Sequence, residues 1–230
     1  FMLAANETVA TYIYQMGITS LYRDHDKPDE TKLKKVINVI TNYGDNIEVK
    51  GKLSSSKCVQ SILKQISKTT RKLVYSNMIL RCLAKATYEA YNIGHFSIGI
   101  NSNIGEAYTH FTSPIRRYPD TTIHRVLKAV INRQIEDLYK DNHKQKMIAI
   151  AKHSSIQEQN ADKCERESNK MKMAEFMEKY IDEEFEGFIC GFTPSGMFIK
   201  LPNLVEGRVA YSTMDDYYNY NEDLEIIQGE

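Results

Sequence analysis
Residues 142–183 contain no glycine and no proline, in a chain that has 11 of the first and 5 of the second. These two residues are the strongest breakers of regular structure, so their absence predicts one long helix. Between residues 153 and 170 the only large apolar side chain is Ile156. A helix so poor in apolar residues is not buried all round, and its middle is expected on the surface or along a polar groove. Asp182-Glu183-Glu184 marks a boundary. From Phe185 the period changes to two. Phe185, Gly187 and Ile189 alternate, residues 197–201 follow a Thr193-Pro194-Ser195-Gly196 turn, and residues 206–211 follow Pro202-Asn203. Three strands in so short a stretch cannot bury both faces. No fourth or fifth strand is read before Glu230, so this part is expected to be an incomplete small barrel. The two textures together predict an α+β fold, helix-rich over 1–184 and all-β over 185–230.

Within the first part, residues 1–17 bring Leu3, Val9, Ile13 and Met16 to one side with Ala4, Ala5 and Ala10, a helical pattern. Residues 23–29 read as a polar breaker. Asp29 or Glu30 then opens a helix with Leu33, Val36, Ile37 and Ile40 as its apolar stripe, and Gly44 ends it. Cys58, Ile62 and Ile66 predict another helix, and residues 73–91 a longer one. Residues 95–100 alternate and read as a strand, with residues 107–112 as a partner. Ser113-Pro114 and Tyr118-Pro119 bracket a stiff turn, because each proline keeps its predecessor out of the helical region. Pro119 suits the first helical position and Asp120 the first turn. Ile123, Val126, Leu127, Val130 and Ile131 continue at helical spacing.

Composition excludes some classes of protein. No apolar run approaches the roughly 18 to 20 residues of a membrane-spanning helix. With 15 Tyr and 8 Phe, the chain is not disordered throughout. The apolar start, residues 1–5, is broken at Asn6 and Glu7, too early for a secretory signal. The chain opens on Phe1 and is read as a piece of a longer protein. Cys58, Cys82, Cys164 and Cys190 lie far apart without a C-x-x-C, which suits reduced thiols in a cytoplasmic protein. Lys plus Arg equals Asp plus Glu at 30 each. That balance hides an asymmetry. Residues 185–230 hold eight acids against Lys200 and Arg208, a net −6, which leaves +6 on residues 1–184. Arg116, Arg117, Arg125, Lys128 and Arg133 form a basic stripe broken only by Asp120. Such a stripe suits a phosphate backbone or a solvated helix face.

The common nucleotide-binding, hydrolase and zinc-protease signatures are absent. Two clusters remain. Asp24-His25-Asp26 has metal-ligand chemistry, but three adjacent loop residues rarely converge on one ion, and turn formation before the next helix is the preferred reading. The second cluster is residues 108–120, followed by His124 and Arg125. Thr112 and Ser113 supply hydroxyls, Arg116 and Arg117 supply planar two-pronged donors, and a helix N-terminus follows at once. All three suit a phosphate. From the residues alone this is either a phosphate site or a structural knot, with the arginines paired to acids such as Glu165 or Asp120.

The run from His110 through Phe111-Thr112-Ser113-Pro114-Ile115-Arg116-Arg117-Tyr118-Pro119-Asp120 to His124-Arg125 resembles the signature of the ribonuclease II/R family, the RNB-domain exoribonucleases. Gly94-His95-Phe96 with Gly99, Arg23-x-His25-Asp26-Lys27-Pro28 and Met2-Leu3-Ala4-Ala5-Asn6 resemble the same family, and its bacterial ribonuclease R branch fits best. The β part resembles an S1 RNA-binding domain of the OB-fold class, in Gly187-x-Ile189, Gly196-Met197-Phe198-Ile199-x-Leu201 and Glu206-Gly207-x-Val209, with Ala210 where a histidine is usual. The resemblance implies that residues 1–184 are the C-terminal portion of an RNB catalytic domain and 185–230 the N-terminal portion of an S1 domain. It implies hydrolysis of single-stranded RNA from the 3′ end to nucleoside 5′-monophosphates, with Mg2+. Arg116 and Glu165 are then the catalytic candidates, and Thr112, Ser113, Arg117, His124 and Arg125 bind RNA phosphate. The metal-binding aspartates are expected upstream of this chain, so no metal ligand is assigned within it and the piece alone is expected to be inactive. A monomer is expected. The alternative is a non-catalytic RNA-binding protein on the same scaffold.

Overall fold
In the computed structural model, residues 1–221 and 226–229 are described. The fold is α+β, with six α-helices, three small antiparallel sheets and no closed barrel among the described residues. Helix α1 (Met2–Gln15) buries Asn6, Ala10 and Ile13, and the chain turns at Gly17. Helix α2 (Glu30–Asn42) begins where the sequence predicts: the Asp29 carboxylate accepts from the backbone N–H of Thr31 and Lys32, satisfying two of the four unpaired donors of the first turn. With α3 (Ser56–Ile66) and α4 (Lys72–Arg81) it encloses one core, built on Leu33, Ile40, Ile62, Ile66, Tyr75 and Ile79. A second core joins α1 to α5 (Tyr118–Ile131) and α6 (Asp141–Met177) through Ile13, Leu21, Tyr88, Ile123, Val126 and Met147.

Against the second core lies a short sheet that the sequence reading misses. Residues 23–29 are not simply a breaker. Strand β1 (Tyr22–Asp24) pairs antiparallel with β2 (Thr87–Glu89), placing Arg23 opposite Tyr88. The helix expected over 73–91 therefore stops at Arg81, because Tyr88 is drawn into the second core as a strand residue. Residues 95–100 are not a strand either. His95 makes isolated bridges to His25 and Ile100, and Phe96–Ile98 is a 3₁₀ turn. The local backbone forbids a ladder there: Gly94 has φ +94°, and a Cβ on it would stand 2.7 Å from the Ile100 carbonyl oxygen. Residues 107–109 run beside β1 instead of beside 95–100. The Arg23 N–H donates to Tyr108 O at 2.8 Å, and Thr109 Oγ1 donates to Leu21 O at 2.7 Å.

Helix α6 is the long helix expected, followed by a 3₁₀ turn at Glu178–Tyr180 and a left-handed Asp182 at the anticipated boundary. It is exposed along 161–170. Its inner face closes the free edge of β2, since Ser155 Oγ accepts from the Tyr88 N–H and donates to Tyr88 O. Strands β3 (Phe188–Thr193), β4 (Gly196–Lys200) and β5 (Glu206–Ala210) form one sheet in that order. Two further strands, β6 (Tyr218–Asn221) and β7 (Ile226–Gly229), pair as a separate hairpin, correcting the expectation of none. Four acids of the negative tail, Glu222, Asp223, Glu225 and Glu230, lie outside the described residues.

Candidate nucleic-acid interface
The turn between Ser113 and Arg117 is held at several backbone groups. Ser113 N–H donates to Asp120 Oδ2 at 2.8 Å, while Ser113 O accepts from the N–H groups of Arg116 and Arg117. Pro114 has no N–H, and its carbonyl accepts from Thr121 Oγ1 at 2.8 Å. The strand-like segment leading in is clamped on both sides at Phe111. Its N–H donates to Asn6 Oδ1 of α1, and its carbonyl meets His124 Nε2 of α5 at 2.8 Å. The His124 ring also stacks on the Phe111 ring at 4.1 Å.

Within this frame the two adjacent arginines differ. Arg117 is half-buried and donates from Nη2 to Asp120 Oδ2 at 2.8 Å, and Asp120 is 0% exposed. Arg116 is exposed and has no side-chain partner among the described residues. Ile115 beside it is fully exposed. Of the two readings left open by the sequence, the structural knot is present on Arg117, which pairs with Asp120, while Arg116 stands open to solvent. Thr112 and Ser113 share the turn with Arg116, half-buried, with hydroxyls unbonded among the described residues. Arg125 is exposed two turns along α5, and the His124 ring is engaged with Phe111.

Glu165 does not meet Arg116. It is exposed on α6, two turns beyond Glu158 and about 10 Å further along the axis. The α6 acid drawn inward is Glu158, whose carboxylate bonds Arg23 Nη1 at 2.6 Å. The Arg23 guanidinium also lies over the Tyr88 ring, 4.6 Å from its centre. Tyr88 Oη meets His110 Nδ1 at 2.8 Å, so a polar line runs from α6 through β1 and β2 to the segment that feeds the turn. Burial, helped by the positive charges of Arg117 and Arg23, holds His110 down to about 4, and burial pushes Tyr88 up to about 12. Both are neutral at physiological pH. Asn6, Tyr88 and Glu158 carry no local sequence signal for these roles, because each partner is remote in sequence.

The Asp24-His25-Asp26 cluster is not simply a turn before the next helix, since Asp24 ends β1 and is buried with His25. Asp24 is 1% and His25 7% exposed. Asp24 Oδ2 accepts from Ile93 N–H, its Oδ1 has no protein partner, and burial lifts the carboxyl to about 7. His25 Nδ1 accepts from the Ser97 N–H, and its Nε2 faces Ala84 O. Among the described residues, no group of three or more His, Cys, Asp and Glu side chains is placed to hold a metal ion. No helix among them is long and apolar enough to cross a membrane.

The turn is tied to α1 through Phe111 and to α5 through Asp120 and Thr121, and the exposed guanidinium it carries has the geometry to donate to a phosphate oxygen. The family description "RNB domain" matches residues 1–133, and the chain belongs to the RNB-domain family. It is 41% identical over its whole length to ribonuclease R 1 of Lactococcus lactis, of which it covers 28%. The apo RNase R of Mycoplasma genitalium superposes with a TM-score of 0.90 at 32% identity, over 99% of this chain and 35% of that one. The same protein in complex with ribose-methylated single-stranded RNA gives 0.88 at 31% identity, again over 99% of this chain and 35% of that one. The chain thus spans about a third of the length of these proteins.

Proposed function
We propose that this chain belongs to a hydrolytic exoribonuclease of the cytoplasm that shortens single-stranded RNA from its 3′ end and releases nucleoside 5′-monophosphates. The observation that carries the reading is Arg116, an exposed guanidinium without a partner among the described residues, on a turn tied to α5 by Asp120 and Thr121. Its part is to bind a non-bridging phosphate oxygen and to follow the charge that develops there during hydrolysis. Thr112 and Ser113 supply hydroxyls beside it. Arg125 on α5 and Glu165 on α6 belong to the reading as more distant contributors, with no direct bond to Arg116. Mg2+ is part of the proposal as the source of an activated water. Its ligands are assigned outside the described residues, and no step is derived through it.

Residues 185–230 are read as part of an S1 domain. Support comes from a cavity of about 870 Å³ between α6 and the β3–β5 sheet, whose walls combine Phe185, Phe198 and Met173 with Arg166, Lys170 and Arg208. Cations for the backbone and ring faces for bases are what a single strand requires. The reading is tested on the protein encoded by the complete open reading frame, with RNA labelled at either end. Stepwise release of 3′-terminal mononucleotides, abolished by chelation, is the expected result. Binding without shortening would favour the non-catalytic alternative, and loss of the 5′ label first would reverse the polarity.

A further inference from the structure
We propose that Asp120 is the positioning residue that aims Arg116, and that Arg117 serves as its counter-charge and not as a second phosphate ligand. The inference rests on the reading of Arg116 as the phosphate-binding group. Asp120 stands in the first turn of α5, three residues after the Arg117 N-cap, and is fully buried. One oxygen, Oδ2, takes two donors, the Ser113 N–H at the start of the turn and Arg117 Nη2 at its end, both at 2.8 Å. A single carboxylate therefore closes the loop that carries Arg116 and does so from the protein interior. A buried carboxylate needs a compensating cation. Arg117 is the one placed to supply it, and its Nε is itself buried and unbonded to protein, as is Asp120 Oδ1. Arg117 is therefore committed inward, while its neighbour, on the same tethered backbone, is left to the solvent. The two consecutive arginines divide the work: one neutralises the anchor and the other meets the substrate. Thr121, next to Asp120, adds a second tie to Pro114 O, so α5 holds the turn at two points.

The consequence is specific. Asp120→Asn keeps the shape and can still accept from Ser113, but it removes the charge that holds Arg117. Amide exchange is measured on this chain and turnover on the protein of the complete reading frame, in single variants and in a cycle with Arg116→Ala. Expected is at least tenfold faster exchange of the Ser113 and Arg117 amides, with the rest of α5 unchanged. Turnover falls by 10-fold or more, with RNA affinity held within about threefold. In the Arg116→Ala background the Asp120→Asn change has no further effect on turnover, because there is no guanidinium left to aim. Arg117→Gln, at a half-exposed position, reproduces the same pattern from the other side of the pair and covers the case in which Asp120→Asn folds poorly. Unchanged exchange in the turn, or losses that add independently to that of Arg116→Ala, overturns the proposal. If instead Arg116→Ala itself keeps full turnover, the phosphate reading fails first, and the aiming role fails with it.

Discussion
At residue scale the chain shows what burial does to ordinary side chains. Arg116 and Arg117 are chemically identical, and the buried carboxylate of Asp120 gives them different surroundings, one paired and half-buried and the other exposed. Arg116→Lys keeps the charge but loses the planar fork. Turnover of the full protein on RNA is expected to fall by on the order of 10²-fold, while binding, shared among many contacts, changes little. Turnover, affinity and melting measured on one preparation decide it, since a purely structural arginine would lower melting and leave turnover per folded molecule intact. Asp24 offers a second test. Its carboxyl is raised from 3.8 to about 7 by burial, so between those values the folded chain holds a proton that the unfolded chain has released. Its contribution to stability is thus fully present below about 3.8 and is lost as pH rises through about 7. His95 and His110, held near 4 by burial, act in the opposite sense: their contribution is complete above 6.5 and is lost as pH falls through about 4. Asp24→Asn removes the opposing group. The variant is expected to gain melting temperature over wild type at pH 8 and to gain nothing at pH 4, and equal shifts at both would show that Asp24 is not titrating.

At the scale of elements, helices are set by local chemistry and their placement by remote partners. The Asp29 cap is local, and Asp29→Ala is expected to destabilise the three-helix unit by about 1 kcal/mol, read from denaturant unfolding. The seat of α6 is remote. It leans on β2 through Ser155 and on β1 through the Arg23–Glu158 pair, which is partly buried. Glu158→Gln is expected to lower stability by on the order of 2 kcal/mol, between the limits for exposed and buried pairs. Glu165→Gln, an exposed residue on the same helix, should leave melting where it is. Equal effects of the two would mean that α6 is not held where the geometry places it.

For the whole molecule, the first and second hydrophobic cores share no residue, and the β1–β2 sheet joins the second through Tyr88 and a small third cluster through Tyr22. The turn that carries Arg116 is tied to the second core through α5, whose Ile123, Val126 and Val130 are buried there. That core draws on α1, α5 and α6 together, so the helix under the turn is seated by all three. No metal-ligand cluster is present among the described residues. The purified 230-residue chain is therefore expected to bind RNA but to release no mononucleotides in Mg2+. Robust release would place the metal site within these residues and contradict the assignment of its ligands elsewhere.

Much of the secondary structure was legible because its causes lie within a few residues of one another. Asp29 and the stripe from Leu33 to Ile40 define α2, Pro119 and Asp120 start α5, and the missing breakers announce α6. The run of residues 110–120 also marked the turn and its helix. Sequence order could not show that Tyr22–Asp24 and Thr87–Glu89 are strands, since each is three residues long and exists only by pairing with the other. Nor could it show that Glu158 and not Glu165 faces inward, or which arginine stays unpaired. Those outcomes depend on groups brought from distant parts of the chain into a space without water, where a charge must find a partner. Only the folded arrangement supplies that partner.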